Sequence, residues 1–200
     1  MKIPTLTTAR LLLVPPDRDC EELYRRFYTD ADASKTYGGP LTPGAAWARL
    51  ASDIGTWTLK NFGVWAVRES DEGNLVGVCG FWQGVDWPRE LTWWLLPEAR
   101  GRGVAQEASL AAISCAYEIW HWDEVQTYMK DENRAARALV LRLGGVKTKR
   151  QVFPDGLERD VFRLPRATAA PRSTGAPTAG HQARSGGTRY IFASPGLASG

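Results

Sequence analysis

Histidine and cysteine are scarce in this 200-residue chain, which has two of the former and three of the latter. His121 and His181 stand 60 positions apart, and none of Cys20, Cys79 and Cys115 makes a Cys-x-x-Cys pair. A zinc centre, a disulfide framework and a Ser-His-Asp triad therefore lack their residues, and no metal is expected. Cys79 and Cys115 sit in apolar runs and read as small core residues. Long apolar stretches are missing too: none approaches the roughly 20 residues of a membrane span. The opening Met1-Lys2-Ile3-Pro4-Thr5 has no signal-peptide core. The expectation is a cytoplasmic protein without a membrane partner.

Basic charge is in short supply where it would matter. The net +3 comes from Arg172, Arg184 and Arg189, in a stretch from residue 167 onward that contains no acid; the residues before it balance. A nucleic-acid footprint is thus not indicated. With 44% hydrophobic residues the chain can build a core. Residues 167–200 are mostly Ala, Gly, Ser, Thr and Pro, too poor in bulky apolar groups to offset ordering entropy. Hence one domain over residues 1–166 and a disordered tail over 167–200 are expected, with Tyr190-Ile191-Phe192 solvated.

Arg10 to Val14 reads as a strand stopped by Pro15-Pro16. A helix capped by Asp17 follows, with Cys20, Leu23, Tyr24 and Phe27 on one face. Thr42 and Pro43 open a second helix carrying Trp47, Leu50, Ala51 and Ile54 and ending near Trp57. Phe62 to Glu69, Leu75 to Trp82 and Leu91 to Leu96 are β-rich runs, the first two separated by a turn at residues 71–74. Ala105, Ala108, Ala112, Cys115 and Ile119 then mark one face of a helix reaching about Trp120. Val125 to Met129 is a strand, and a helix from Arg134 to Leu143 is closed by Gly144-Gly145. Two strands around Pro154-Asp155-Gly156 finish the fold. The order β-α-α-β-β-β-α-β-α-β-β is a mixed α/β (α+β) domain without repeats.

The chemistry concentrates between Glu90 and Gln106. A buried-type strand is stopped by Pro97, and a short loop delivers Arg100, Gly101, Arg102 and Gly103 to a helix start. The first amides of a helix have no internal partner and, with the dipole, favour an anion. Glycine there lets the main chain approach a phosphate. A dinucleotide fingerprint would need a third glycine where Gln106 stands, inside an early βαβ unit. A P-loop would need Gly-Lys-Ser or Gly-Lys-Thr, which is absent.

Arg100-x-x-Gly103-x-Ala105 resembles the Arg/Gln-x-x-Gly-x-Gly/Ala motif of the GNAT N-acetyltransferase superfamily. Glu90-Leu-Thr-Trp-Trp-Leu-Leu-Pro97, Glu107-Ala108, Asp131-Glu132-Asn133-x-x-Ala136 with Leu143-Gly144, and Thr8-Ala-Arg-Leu-Leu-Leu13 are similar to elements of its RimJ/RimL-like branch, in order over residues 7–164. The resemblance implies a mostly antiparallel central sheet with helices on both faces and a strand pair splayed by a bulge. It also implies acetyl-CoA as co-substrate, bound by the backbone of Trp93, Trp94 and Leu95 along the pantetheine arm. The amides of Gly101, Arg102, Gly103, Val104, Ala105 and Gln106 would hold the pyrophosphate with help from the charges of Arg100 and Arg102. Asn133 would hydrogen-bond the cofactor arm, against the plainer role of a helix cap. Glu90 is the candidate base, ahead of Glu132 and Asp131, and a backbone N–H near Trp94 or Leu95 would polarise the thioester carbonyl.

Three departures accompany the likeness. Val140 stands where many members place a proton-donating tyrosine, Ala136 where the branch often has serine, and Gly145 where phenylalanine follows Leu-Gly. Two functions stay open at this point: direct acetyl transfer to a small-molecule amine or a peptide N-terminus, or a catalytically idle acyl-CoA-binding module. A homodimer is one assembly the chain allows. Trp47, Trp57, Trp82, Trp87 and Trp93 are the candidates for an aromatic acceptor wall, with at least half of the tryptophans expected in the core.

Overall fold

The computed structural model describes residues 3–70, 73–166 and 189–191. Strand β1 (Thr5–Thr7) turns through Thr8, whose hydroxyl accepts from the Leu11 amide at 2.9 Å, into β2 (Leu11–Val14). Alternation along this pair puts Leu6, Leu11 and Leu13 into the core. Asp17 caps a short 3-10 turn, Arg18–Cys20, leading into helix α1 (Glu21–Thr29). Asp30 caps the short α2 (Ala31–Ser34), and a 3-10 turn, Lys35–Tyr37, follows. Thr42 accepts from the Ala45 amide to cap α3 (Pro43–Lys60), with Pro43 in the first turn as expected; Asn61 ends it at φ 60°.

Strands β3 (Val64–Glu69), β4 (Leu75–Trp82) and β5 (Glu90–Leu95) form consecutive antiparallel pairs. Helix α4 (Val104–Ser114) passes into a π turn, Cys115–Ile119, before β6 (Val125–Met129). Helix α5 (Arg134–Arg142), β7 (Val146–Val152) and β8 (Glu158–Leu164) complete the order. One sheet runs β5-β4-β3-β2-β1 and ends in β9 (Arg189–Ile191); the other runs β6-β8-β7. None of the described helices is long and apolar enough to cross a membrane.

Period-two alternation in β3 divides the protein into two cores. Trp65 and Val67 face α4 with Leu13, Cys79, Phe81 and Leu95, while Val64 and Ala66 face α1 and α3 with Val78, Trp94 and Leu96. The small face of α4, Ala108, Ala112 and Cys115, lets the helix lie against the sheet as its spacing predicts. Trp65 is fully buried, stacks on Trp120 at 5.6 Å and donates from Nε1 to the Pro4 carbonyl at 2.7 Å.

One sequence expectation needs correction here. Residues 189–191 of the stretch expected to be without fixed structure pair antiparallel with β1, because β1 otherwise presents an unpaired edge. The disorder expected elsewhere in 167–200, Phe192 included, lies outside the described residues. The Gly145 departure has a local reason: a Cβ there would lie 2.5 Å from Val140 Cγ1, so the buried valine fills the space a larger residue would need.

Trp65→Ala should cost about 3–5 kcal/mol, since it opens a cavity at the centre of one core. Chemical denaturation of the variant checks this, with near-wild-type stability as the contrary result.

Candidate active site

The loop after β5 is fixed before any ligand arrives. A 3-10 turn, Pro97–Ala99, leads to Gly101 and Gly103, at φ 74° and 79°, and α4 begins at Val104. A Cβ on Gly103 would be conformationally strained and would meet Arg10 Nη2 at 3.3 Å. Among the described residues, no hydrogen bond within the chain takes the amides of Gly103, Val104, Ala105 and Gln106; the first ladder bond is Glu107 N to Gly103 O at 3.1 Å. Four free N–H groups at a helix start make an anion site.

A clamp that sequence reasoning did not assign holds this loop to the β1–β2 turn. Glu107 accepts from Thr8 Oγ1 at 2.6 Å, from the Arg10 amide at 3.0 Å and from Arg10 Nε at 2.8 Å. Arg10 Nη1 donates to the Arg102 carbonyl at 3.1 Å. The motif residues Thr8, Arg10 and Glu107 were visible in the sequence, but their mutual bonds span nearly 100 positions. Arg102 itself pairs with Glu69 at 2.9 Å. Arg100 is used structurally: Nε donates to the Leu95 carbonyl and Nη2 to the Ala33 carbonyl, both at 3.1 Å. Arg102 thus has a carboxylate partner, while Arg100, whose two partners are neutral carbonyls, has no countercharge in these bonds.

Along β5, hydrogen-bond parity decides which groups a ligand can reach. Leu96 N donates to Val76 O at 2.9 Å, and the register pairs Val78 with Trp94 and Gly77 with Leu95. In an antiparallel ladder the bonded pairs alternate, so Trp94 points its backbone groups at β4, whereas Leu91, Trp93 and Leu95 point theirs away. The outward carbonyls are occupied: Leu91 O accepts from Thr127 Oγ1 at 2.9 Å, Trp93 O from the Tyr37 hydroxyl, and Leu95 O from Arg100. The backbone groups of Trp94, expected to face a ligand, are thus engaged with β4, and those of its two neighbours face away from it. The expected bulge is corrected as well, since β5 pairs with β4 without a register shift and the shifts lie at Val67/Arg68 and Lys147/Lys149. The splay arises because β5 and β6 belong to different sheets, bridged by side chains such as Gln126 Nε2 to Arg89 O at 3.1 Å.

A cavity of about 550 Å³ opens along this edge. Glu90, Trp93, Asn133, Tyr28, Tyr37 and Asp53 are among its lining residues, as are Trp82, Trp87, Tyr128 and Arg159. Of the aromatic wall expected from sequence, Trp47 is instead exposed and Trp57 is buried in the α4 core. The side-chain oxygen of Asn133 accepts from the Ala136 amide at 3.1 Å, so it caps α5 and leaves its NH2 group for other partners.

The family model for the acetyltransferase (GNAT) domain matches residues 10–146. The chain belongs to the GNAT acetyltransferase family. An acetyltransferase from Agrobacterium tumefaciens is 29% identical, with a TM-score of 0.75 over 82% of this chain and 96% of its own. The fold is shared with the microcin self-immunity acetyltransferase MccE, solved with acetyl-CoA and AMP, at 12% identity and a TM-score of 0.63 over 78% and 92% of the two chains. It is shared too with RimL, a ribosomal-protein α-N-acetyltransferase solved with coenzyme A, at 10% identity and a TM-score of 0.64 over 80% and 97%.

Within this GNAT site the carboxyl groups are not equivalent. Burial pushes Glu90 up to about 8, against the opposing pull of Arg159 and a bond from Tyr128. Asp155 is tied to Arg159 by bonds of 2.8 and 2.5 Å, which hold it down at about 2. Asp131 is bound to Arg150 at 2.8 and 3.1 Å and held below the usual range, which removes it from the list of bases. Val140, where a tyrosine is common in the superfamily, is fully buried and lies off the cavity lining.

The Glu90 shift has a stability consequence of definite sign. Its folded-state value lies above the unfolded one, so the folded protein holds the proton more tightly and ionisation is penalised. The penalty is absent below the ordinary glutamate range, grows as pH rises toward about 8, and is constant beyond it. Glu90→Gln should therefore gain melting temperature relative to wild type as pH rises from 5 to about 8; a pH-independent difference would contradict the burial of this carboxyl.

Proposed function

We propose that this acetyltransferase moves an acetyl group from acetyl-CoA directly to a primary amine, on a small molecule or a protein N-terminus, in the manner of the RimJ/RimL-like branch. The observation that carries the proposal is the alignment of three features: free amides at the α4 start, an unladdered edge of β5, and a titratable carboxyl where that edge meets the cavity. Residues 1–166 are taken as the unit that does this work.

The residues present suit the co-substrate. The amides of Gly101 to Gln106 hold the pyrophosphate, close to a glycine that offers no Cβ. Trp93 and Leu95 offer outward N–H groups to the pantetheine arm and the thioester carbonyl, as an added strand would use them. The Asn133 NH2 group bonds the arm while its oxygen caps α5. Arg100 and Arg102 shape the loop through their bonds within the chain, and the charge that Arg100 keeps adds to the attraction for phosphate. Acetyl-CoA supplies an activated acyl group and a thiol whose thiolate is stable enough to leave into water, so a buried proton donor at position 140 is not required.

Glu90 takes the proton from the incoming ammonium, directly or through a water. A carboxyl near 8 is well matched to that task at neutral pH, since the ideal catalytic pKa lies near the operating pH. The neutral amine then attacks the carbonyl held at the β5 edge.

Thiol release from acetyl-CoA, measured against a panel of primary amines, amino-group antibiotics and N-terminal peptides, tests the proposal. Turnover is expected on at least one class, and Glu90→Gln should lower kcat/KM on it by about 10²–10⁴-fold and remove a rising limb near pH 8, with coenzyme A binding retained. A full rate for Glu90→Gln across pH removes Glu90 as the base. Tight coenzyme A binding without turnover on any acceptor would leave the idle binding module instead.

A further inference from the structure

Three cross-strand rows of β4 and β5 underlie the acceptor end of the cavity. The register pairs Val78 with Trp94, Gly80 with Thr92 and Trp82 with Glu90, and partners in an antiparallel ladder share a face. Val64 extends the middle row, because it pairs with Gly80 from β3. Val64, Val78, Trp82, Glu90, Thr92 and Trp94 all line the cavity. Gly80 adds no side chain, and none would fit: a Cβ there would lie 2.5 Å from Gly63 O and 2.6 Å from Val64 Cα. The middle row is therefore low, a trough between two rows that each carry a tryptophan.

Trp82 stands at one end of this trough. Its ring meets Trp87 edge to face, with centres 5.8 Å apart and planes at 70°, its one ring contact among the described residues. Gly84 packs against both indoles, since a Cβ there would lie 2.7 Å from Trp82 Cη2 and 3.1 Å from Trp87 Cδ1. Trp87 is itself held by the rings of Tyr128 and Phe153, at 5.9 and 5.5 Å, and by the Arg159 guanidinium at 5.3 Å. Arg159 is in turn tied to Asp155. The cluster thus pairs its own charges and presents the half-buried Trp82 to the cavity.

Trp82 and Glu90 are directly opposed, and such partners have Cβ atoms about 5 Å apart. A nitrogen presented to the Glu90 carboxyl therefore places its substituent, two or three bonds away, beside the indole and over the trough. A planar ring can lie on a floor without protruding side chains, and against an indole it gains attraction beyond its buried area, which a saturated ring does not.

We infer that the acceptor carries an aromatic ring two or three bonds from the reacting nitrogen, and that Trp82 and Thr92 seat this ring. The inference rests on the transfer reading above and narrows its acceptor to arylalkylamines and chains that begin with an aromatic residue. Trp82 and Thr92 act as specificity residues that touch the acceptor; neither moves a proton.

The test sets 2-phenylethylamine against 2-cyclohexylethylamine in wild type, Trp82→Leu, Trp82→Phe and Thr92→Leu. The kcat/KM ratio of the two amines should be about three- to tenfold higher in wild type than in Trp82→Leu, the scale of one ring contact, and comparing ratios between proteins cancels the amines' own basicity. The loss should appear in the KM of the aromatic amine, and Trp82→Phe should retain most of the preference. Thr92→Leu fills the trough and should raise KM for both cyclic amines relative to ethylamine. Coenzyme A binding to each variant reports that the fold is intact; should Trp82→Leu fail that check, Trp82→Phe and Thr92→Leu carry the test. An equal ratio in wild type and Trp82→Leu, or an unchanged KM pattern in Thr92→Leu, overturns the inference and leaves the transfer reading standing. Should no amine be turned over, calorimetric titration of both amines into the coenzyme A-loaded protein decides it. Tighter binding of 2-phenylethylamine that is lost in Trp82→Leu supports the ring site while sinking transfer, and equal binding overturns the ring site.

Discussion

Two neighbouring strands that do not form a ladder govern this protein. A buried backbone amide or carbonyl without a partner is costly, yet β5 and β6 lie side by side in separate sheets, and the outward groups of β5 belong to no strand pair. The carbonyls are satisfied from elsewhere: Thr127 serves Leu91, Tyr37 serves Trp93 and Arg100 serves Leu95. What stays exposed to a ligand is the donor half of the edge. An edge that offers donors suits a thioester and an amide-containing arm, both of which present carbonyl oxygens. The cavity opens along the same splay, so on the proposed reading cofactor edge and acceptor space would have one origin.

Rigidity around that edge is supplied from a distance. The two cores meet through β3 and β4, and their packing fixes the plane of β5. Glu107 and Arg10 then fix the start of α4 against the β1–β2 turn, while Arg100 joins the end of β5 to α2. Because these bonds preset the loop, little ordering is left for a ligand to impose on binding.

Much of the fold could be read from local chemistry. Thr42-Pro43, Asn133 and Gly144 mark helix ends where the structure has them, and alternation in β3 and β4 separates the two faces. The short elements β1, α2 and β9 were not legible, because three or four residues carry too little periodicity. For the site, residues adjacent in sequence were found and residues joined across it were not. Glu90, Gly103 and Asn133 stand in motifs, but the Tyr24–Asp53 bond and the Tyr37 contact with Trp93 link elements 29 and 56 positions apart. The choice between Trp93 and Trp94 depended on ladder parity, which no single strand reveals. The structural partners of Arg100 and Arg102, namely Leu95, Ala33 and Glu69, were likewise hidden, because they come together only on folding.

The central claim is that the outward amides of β5 and the first amides of α4 are one continuous binding surface for the co-substrate. Residue-resolved amide hydrogen exchange with and without coenzyme A addresses it most directly. The account predicts added protection at Trp93 and Leu95 together with Gly103 to Gln106, and none at Trp94, which already bonds to β4. Protection confined to the loop, or equal exchange at all of these amides, would contradict it.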